Sequence, residues 1–216
     1  MVIRLFIWYL NLHSIYCSLI TEGNVIVNSD SGQRVHLKCV NWYGAHQELF
    51  SVGGLERQSI ANISNQIVRM GANCVRLPFS IEMVRDNPLV QHENIVAVQP
   101  SECSGLETIT ITALELLDCV VSRLTADGLM VIMNNHVSKA GWVGANTTKQ
   151  QGLWNLPGYP TSDWIASLRN ISARYSKNPL VVGMDIRNEI HDQVPTAAPA
   201  ELQQSEYPRV RGRAER

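Results

Sequence analysis

The run LVVGMDIRNEI, Leu180 to Ile190, is apolar until it stops in Arg187, Asn188 and Glu189. A carboxylate beside an amide is a pair that can work on a hydroxylated substrate. The carboxyl gives or takes a proton, and the amide both donates and accepts hydrogen bonds. A lone glutamate at such a point is ordinarily solvated surface, so the pair needs company. The chain supplies it: NCVRLPFS carries Arg76, LMVIMNNH ends in Asn134, Asn135 and His136, and RVHLKCVNW ends in Asn41 and Trp42. Four apolar runs thus carry polar groups at or near their ends. Trp42 and Trp142 flank them, and an indole offers a flat apolar face with one N–H donor, suited to lining a pocket or stacking on a flat ligand. Trp154, in GLWNLPGYP, reads as loop packing, and Trp164 as part of a helical core stripe.

These groups act together only if the runs are neighbouring strands. Between them lie helical periods. Ile60, Ile63, Ile67 and Met70 keep helical spacing and stop at Gly71. Ile111, Leu114, Leu117, Val121 and Leu124 form a second stripe ending at Gly128. Trp164, Leu168, Ile171 and Tyr175 form a third, with Ser162 as a cap and Pro179 as a stop. Residues 80–108 show no clear period and read as a long loop. NVIVN, SDSGQ and RVHLKCVNW read as strand, turn and strand, a small hairpin in front. The order β-α-β-α-β-α-β implies a parallel α/β sheet, with strands expected over 35–42, 73–79, 129–135 and 180–188. A doubly wound nucleotide fold should show a GxGxxG turn after its first strand, and WYGAHQELFSVGG lacks that spacing. A (β/α)8 barrel collects its chemistry at the C-terminal ends of several strands, as here. The expected fold is therefore of the TIM-barrel type, represented by roughly its first four β/α units behind the hairpin.

Composition narrows the class. Apolar residues are 45% and charged residues 17% of 216, which suits a globular chain. A net charge of -1 gives no reason to expect a nucleic-acid partner. No apolar run reaches the roughly 20 residues that cross a bilayer. No cofactor or metal is expected, since neither a phosphate-cradling glycine turn nor CxxC spacing occurs. The first residues, MVIRLFIWYLNLHSIYCSLI, carry Arg4 and then no acid before Glu22. They read as a secretory leader over residues 1–21, against the alternative of an apolar arm packed on the domain. Sequons at Asn62, Asn146 and Asn170 fit a secreted glycoprotein. Residues 22–192 form the domain, and 193–216 read as a disordered tail. Of the five cysteines, Cys17 would leave with the leader. Cys39 and Cys74 lie inside apolar runs and read as small buried thiols rather than a disulfide.

The stretches VHLKCVNWYG, GANCVRLPFS, GLMVIMNNHVSKAGW and NPLVVGMDIRNEI, in this order, resemble glycoside hydrolase family 5, the cellulase-type barrels of clan A. The resemblance implies that Glu189 is the acid/base carboxylate and that Asn188 bonds the sugar 2-hydroxyl. It also implies that His136 is the site histidine after the third strand and that Arg76 stands beside the nucleophile. Asn135, Trp42 and Trp142 are expected to join them as substrate-binding groups. The implied reaction is retaining hydrolysis of β-linked glucan. One carboxylate attacks the sugar carbon while another protonates the leaving oxygen, the two about 5 Å apart. Glu189, at the end of an apolar strand, is expected to be desolvated. Two departures stand out: Ile190 replaces the proline that commonly follows the motif, and the family nucleophile, a glutamate ending strand seven, has no counterpart here.

Three readings stay open at this point: a secreted glycosidase on a polysaccharide or oligosaccharide substrate, a sugar-binding half barrel without turnover, and a truncated gene product. An arc of four strands would also leave two unpaired edges, which invites self-association.

Overall fold

The computed structural model describes residues 19–103, 110–142 and 152–190. It opens with an antiparallel hairpin, β1 (Leu19–Glu22) and β2 (Val25–Asn28), joined by a two-residue turn at Gly23 and Asn24. The expected hairpin is shifted here. β2 pairs along its length with β1, and the segment after it touches β2 through a bridge from Arg34 to Val27. A leader ending at residue 21 would cut through β1.

The main sheet has four strands in chain order, every pair parallel: β3 (Cys39–Asn41), β4 (Cys74–Ser80), β5 (Met130–Val137) and β6 (Val181–Asp185). All four fall inside or within two residues of the expected runs. Helices α1 (Ile60–Arg69), α3 (Ala113–Ala126) and α4 (Thr161–Tyr175) connect successive strands. The architecture is an arc of a (β/α)8 barrel with an N-terminal hairpin.

Local chemistry fixes the helix ends. Ser59 caps α1 by accepting from the Asn62 N–H. Thr112 and Glu115 form a reciprocal capping box on α3. The bonds from Thr112 hold the Glu115 carboxyl below its ordinary range. α4 starts after Pro160, which takes the cap position two residues ahead of the expected Ser162. A further helix, α2 (Ile81–Asp86), occupies a stretch expected to be loop. At six residues it is too short to show a period, but Ser80 caps it through the Met83 N–H.

Alternate residues of the strands build the core. Val75, Leu77 and Phe79 of β4 and Val131 and Met133 of β5 are fully buried in the cluster shared with the helices. All five residues of the α3 stripe are buried, and so are Ile171 and Tyr175 of α4. Met70 leaves its stripe and is 72% exposed, just past the end of α1. Trp164 is half-buried, stacks on Trp154 at 5.6 Å, and donates its indole N–H to the Ile186 carbonyl at 2.9 Å. It secures the strand end rather than filling the core.

The cysteines overturn an expectation. Cys39 bonds Cys74, and Cys103 bonds Cys119. Cys74 is buried as expected, but Cys39 is exposed and lies opposite it in the β3–β4 register. Two apolar runs reveal their pairing register only once the sheet is assembled, so the sequence hid this contact.

Candidate active site

The ends of β3 and β6 converge on one side chain of β4. Arg76 of β4 donates from Nε to Asp185 Oδ2 at 3.2 Å, and its Nη2 also bonds that carboxylate. The same Nη2 donates to Asn188 Oδ1 at 2.9 Å, and Nη1 reaches Asn41 Oδ1 at 3.4 Å. Asp185 Oδ2 also accepts from Asn134 Nδ2 at 2.9 Å, and Asn134 Oδ1 lies 2.6 Å from His136 Nδ1. The backbone closes the arrangement where Asn188 N donates to Asn135 O at 2.9 Å. Arg76, Asn188 and His136, three of the expected site residues, are thus joined in one network.

Glu189 follows Asn188 at this edge and is exposed, so the desolvation expected from its apolar strand is not what surrounds it. Its φ of 37° lies in the left-handed region that non-glycine residues seldom occupy. Strained backbone of this kind collects at functional sites.

Two expected site residues lie elsewhere. Asn135 is fully buried, on the face opposite Asn134 and His136, and its Oδ1 accepts from Arg187 Nη1 at 3.1 Å. Strand alternation put the wrong asparagine forward: Asn134 is the one in the network. Trp42 is 6% exposed within the core cluster and donates its indole N–H to the Gly53 carbonyl at 2.8 Å, so it has no face for a sugar. Trp142 fits better. It is 59% exposed and lies 5.7 Å from the ring of Tyr43, itself 53% exposed. Asn62 and Asn170 are exposed on α1 and α4, while Asn146 lies outside the described residues.

The sequence reading passed over two further residues. Asp185 had a signal: an acid inside an apolar strand must find a partner, and Arg76 was already a candidate cation. His46 had none. It sits in the loop after β3, 1% exposed, with its ring 4.3 Å from that of His136 and edge-on to Trp142 at 6.2 Å. Neither ring nitrogen of His46 meets a hydrogen-bond partner among the described residues. The loop closes tightly on itself: a Cβ on Gly44 would stand 2.5 Å from Gly53 N and Ser51 O. Only glycine fits there, and that closure carries Tyr43 and His46 to the site. Burial, with the Arg76 charge adding to it, pulls His46 down to about 4. Burial, then His46, Arg76 and Arg187, pulls His136 down to about 3. Both rings are neutral near pH 7. No group of three or more metal-ligating side chains gathers among the described residues.

The family model described as cellulase, glycosyl hydrolase family 5, matches residues 30–212. The chain belongs to glycosyl hydrolase family 5. A glycosyl hydrolase 5 family protein of Chamaecyparis obtusa is 33% identical over 184 residues, covering 80% of this chain and 32% of that protein. The major extracellular endoglucanase of Xanthomonas campestris pv. campestris is 29% identical, covering 75% of this chain and 31% of its own. The solved catalytic domain of the major Xanthomonas endoglucanase superposes with a TM-score of 0.67 at 28% identity, covering 84% of this chain and 49% of that domain. The chain therefore spans about a third of these curated relatives and about half of the solved family 5 barrel.

Proposed function

We propose that this chain carries the acid/base side of a retaining glycosidase site for β-linked glucan of the cellulose type. The observation that carries the reading is the Arg76 to Asn188 bond, which fixes the amide beside Glu189 at the edge where the strand ends meet. Membership of family 5, and relatives named endoglucanase, support the substrate class.

In this reading Glu189 protonates the leaving oxygen and later takes a proton from the attacking water. Asn188 can donate from Nδ2 to a sugar hydroxyl, a contact that can strengthen in the transition state. Tyr43 and Trp142 offer a shelf for a sugar ring. Asp185 is not the second carboxylate, because its Oδ2 is already shared by Arg76 and Asn134. The nucleophile is a further carboxylate that this reading does not place.

Glu189→Gln tests the role. Wherever a nucleophile completes the site, loss of the acid lowers hydrolysis of cello-oligosaccharides about 100- to 10,000-fold. The burst from a dinitrophenyl glycoside, whose leaving group needs no proton, is largely spared. Equal losses on both substrates would remove the acid role. Calorimetry with cello-oligosaccharides supplies a readout that does not need turnover, and no binding by wild type would remove the sugar reading.

We also place the protein outside the cell. Two disulfides fit an oxidising compartment, a Xanthomonas relative is named extracellular, and no helix among the described residues is long and apolar enough to cross a membrane. Glycan at Asn62, Asn146 or Asn170 would then appear as a gel shift on deglycosylation. Within the described sheet, β3 and β6 each pair on one side only, which supports self-association, checked by light scattering.

A further inference from the structure

We infer that Asp185 is a positioning residue that sets the hydrogen-bond polarity of His136, while Arg76 sets that of Asn188. The consequence for sugar binding rests on the function proposed above.

Amides and imidazoles can present either a donor or an acceptor, so something else must decide which. Arginine only donates and an ionised carboxylate only accepts. These two fixed groups meet here. Asp185 Oδ2 accepts from Arg76 Nε at 3.2 Å and from Asn134 Nδ2 at 2.9 Å. With its amide nitrogen committed to Asp185, Asn134 must turn its oxygen to His136. That oxygen lies 2.6 Å from His136 Nδ1, so Nδ1 carries the proton and Nε2 is left as an acceptor. On the other branch, Arg76 Nη2 donates to Asn188 Oδ1 at 2.9 Å, which leaves the Asn188 amide N–H groups as donors. The site then offers one acceptor and one donor, which match a hydroxyl that both gives and receives.

The choice is firmly held. Asn134 is completely buried, so a flipped amide would face Asp185 oxygen to oxygen and leave its nitrogen without that carboxylate. His136 stays neutral down to about 3, mainly because it is buried, so the tautomer persists across the working range. Among the described residues Asp185 makes no hydrogen bond to His136 itself; it acts through Asn134.

The test uses the ¹⁵N-labelled full chain and long-range proton–nitrogen spectra of its histidines near pH 7, with His136 assigned by the loss of its signals in His136→Phe. Wild type should show His136 protonated at Nδ1. In Asp185→Asn, which keeps the shape but lets position 185 donate, the ring should move to the Nε2-protonated form or a mixture. Cello-oligosaccharide binding should weaken about tenfold, as for one lost hydrogen bond. Asn134→Ala breaks the same relay while sparing the Arg76–Asp185 pair, and it should give the same tautomer change even if Asp185→Asn does not fold. A merely structural Asp185 would lower stability and leave the tautomer alone. Nδ1 protonation retained in either folded variant overturns the inference. A changed tautomer with unchanged sugar binding upholds Asp185 as the positioning residue and counts instead against the sugar site.

Discussion

Along β4, Val75, Leu77 and Phe79 are completely buried against the helices, while Arg76 between them reaches Asp185, Asn188 and Asn41. β5 repeats the alternation, with Val131 and Met133 on one face and Asn134 and His136 on the other. The same few residues of chain thus serve two kinds of physics. The helix-side face is held by apolar area and shape, which tolerate apolar exchanges of similar volume. The inner face is held by donor and acceptor matching, where one changed atom alters every partner down the line. Stability should follow the first face and ligand binding the second.

Truncation of the packed face should have the largest effect on folding. Phe79→Ala removes a fully buried ring and should cost about 3–5 kcal/mol in urea unfolding. The fraction that still folds should bind cello-oligosaccharide as before. A cost below about 1 kcal/mol would mean that this face is not the core.

The disulfides come next, and they sharpen the comparison because they act by cross-linking the chain rather than by buried area or donor matching. Cys103–Cys119 closes a separation of 16 residues and Cys39–Cys74 one of 35. Replacing either pair with serine should cost about 2–4 kcal/mol, the longer loop slightly more. Unfolding midpoints that ignore reductant would show that the bonds contribute nothing.

Arg76→Met should reverse the balance. It strips three acceptors at two strand ends of their shared donor, yet its ion pair is partly open to water, so the stability cost should be only about 1–2 kcal/mol. Sugar binding should fall by more than that, because Asn188 and Asp185 both lose their partner. Equal losses in Phe79→Ala and Arg76→Met, on both readouts, would erase the distinction between the faces.

The two faces also differed in how well they could be read in advance. The apolar stripes of α1 and α3 and the four strand runs were legible because periodicity is a local property of the chain. Arg76, His136 and Asn188 were legible as polar groups at or near the ends of such runs. What failed depended on neighbours. Asn135 was preferred to Asn134 because choosing between adjacent residues needs the phase of the strand, and Trp42 was taken for a sugar platform although its exposure depends on a loop folding back to Gly53. His46 was invisible, since nothing local marks a histidine whose ring will lie against another from a strand distant in sequence. Cys39 and Cys74 needed the register of two strands whose positions are 35 residues apart.

The smallest effect joins the two faces, because His46 and His136 are buried like core residues yet titratable. Their folded values are about 4 and about 3, against 6.5 for an ordinary histidine. Well above pH 6.5 both states are neutral there and the pair contributes no pH dependence. As pH falls below 6.5, the unfolded chain takes up protons that the folded chain refuses, so stability drops until the folded values are passed. The slope is on the order of 1 kcal/mol per pH unit for each ring. Asp86 and Glu115, whose folded values are lowered by Arg85 and by Thr112 respectively, act with the same sign but only below their own unfolded values near 4. The window from about pH 6.5 to about 4.5 therefore isolates the histidines. Urea unfolding across that window should show wild type losing stability steadily, and His46→Phe, which fills the same buried place without a titrating ring, losing about half as much. A wild-type profile flat through the window would mean that the two rings are not held neutral by the fold.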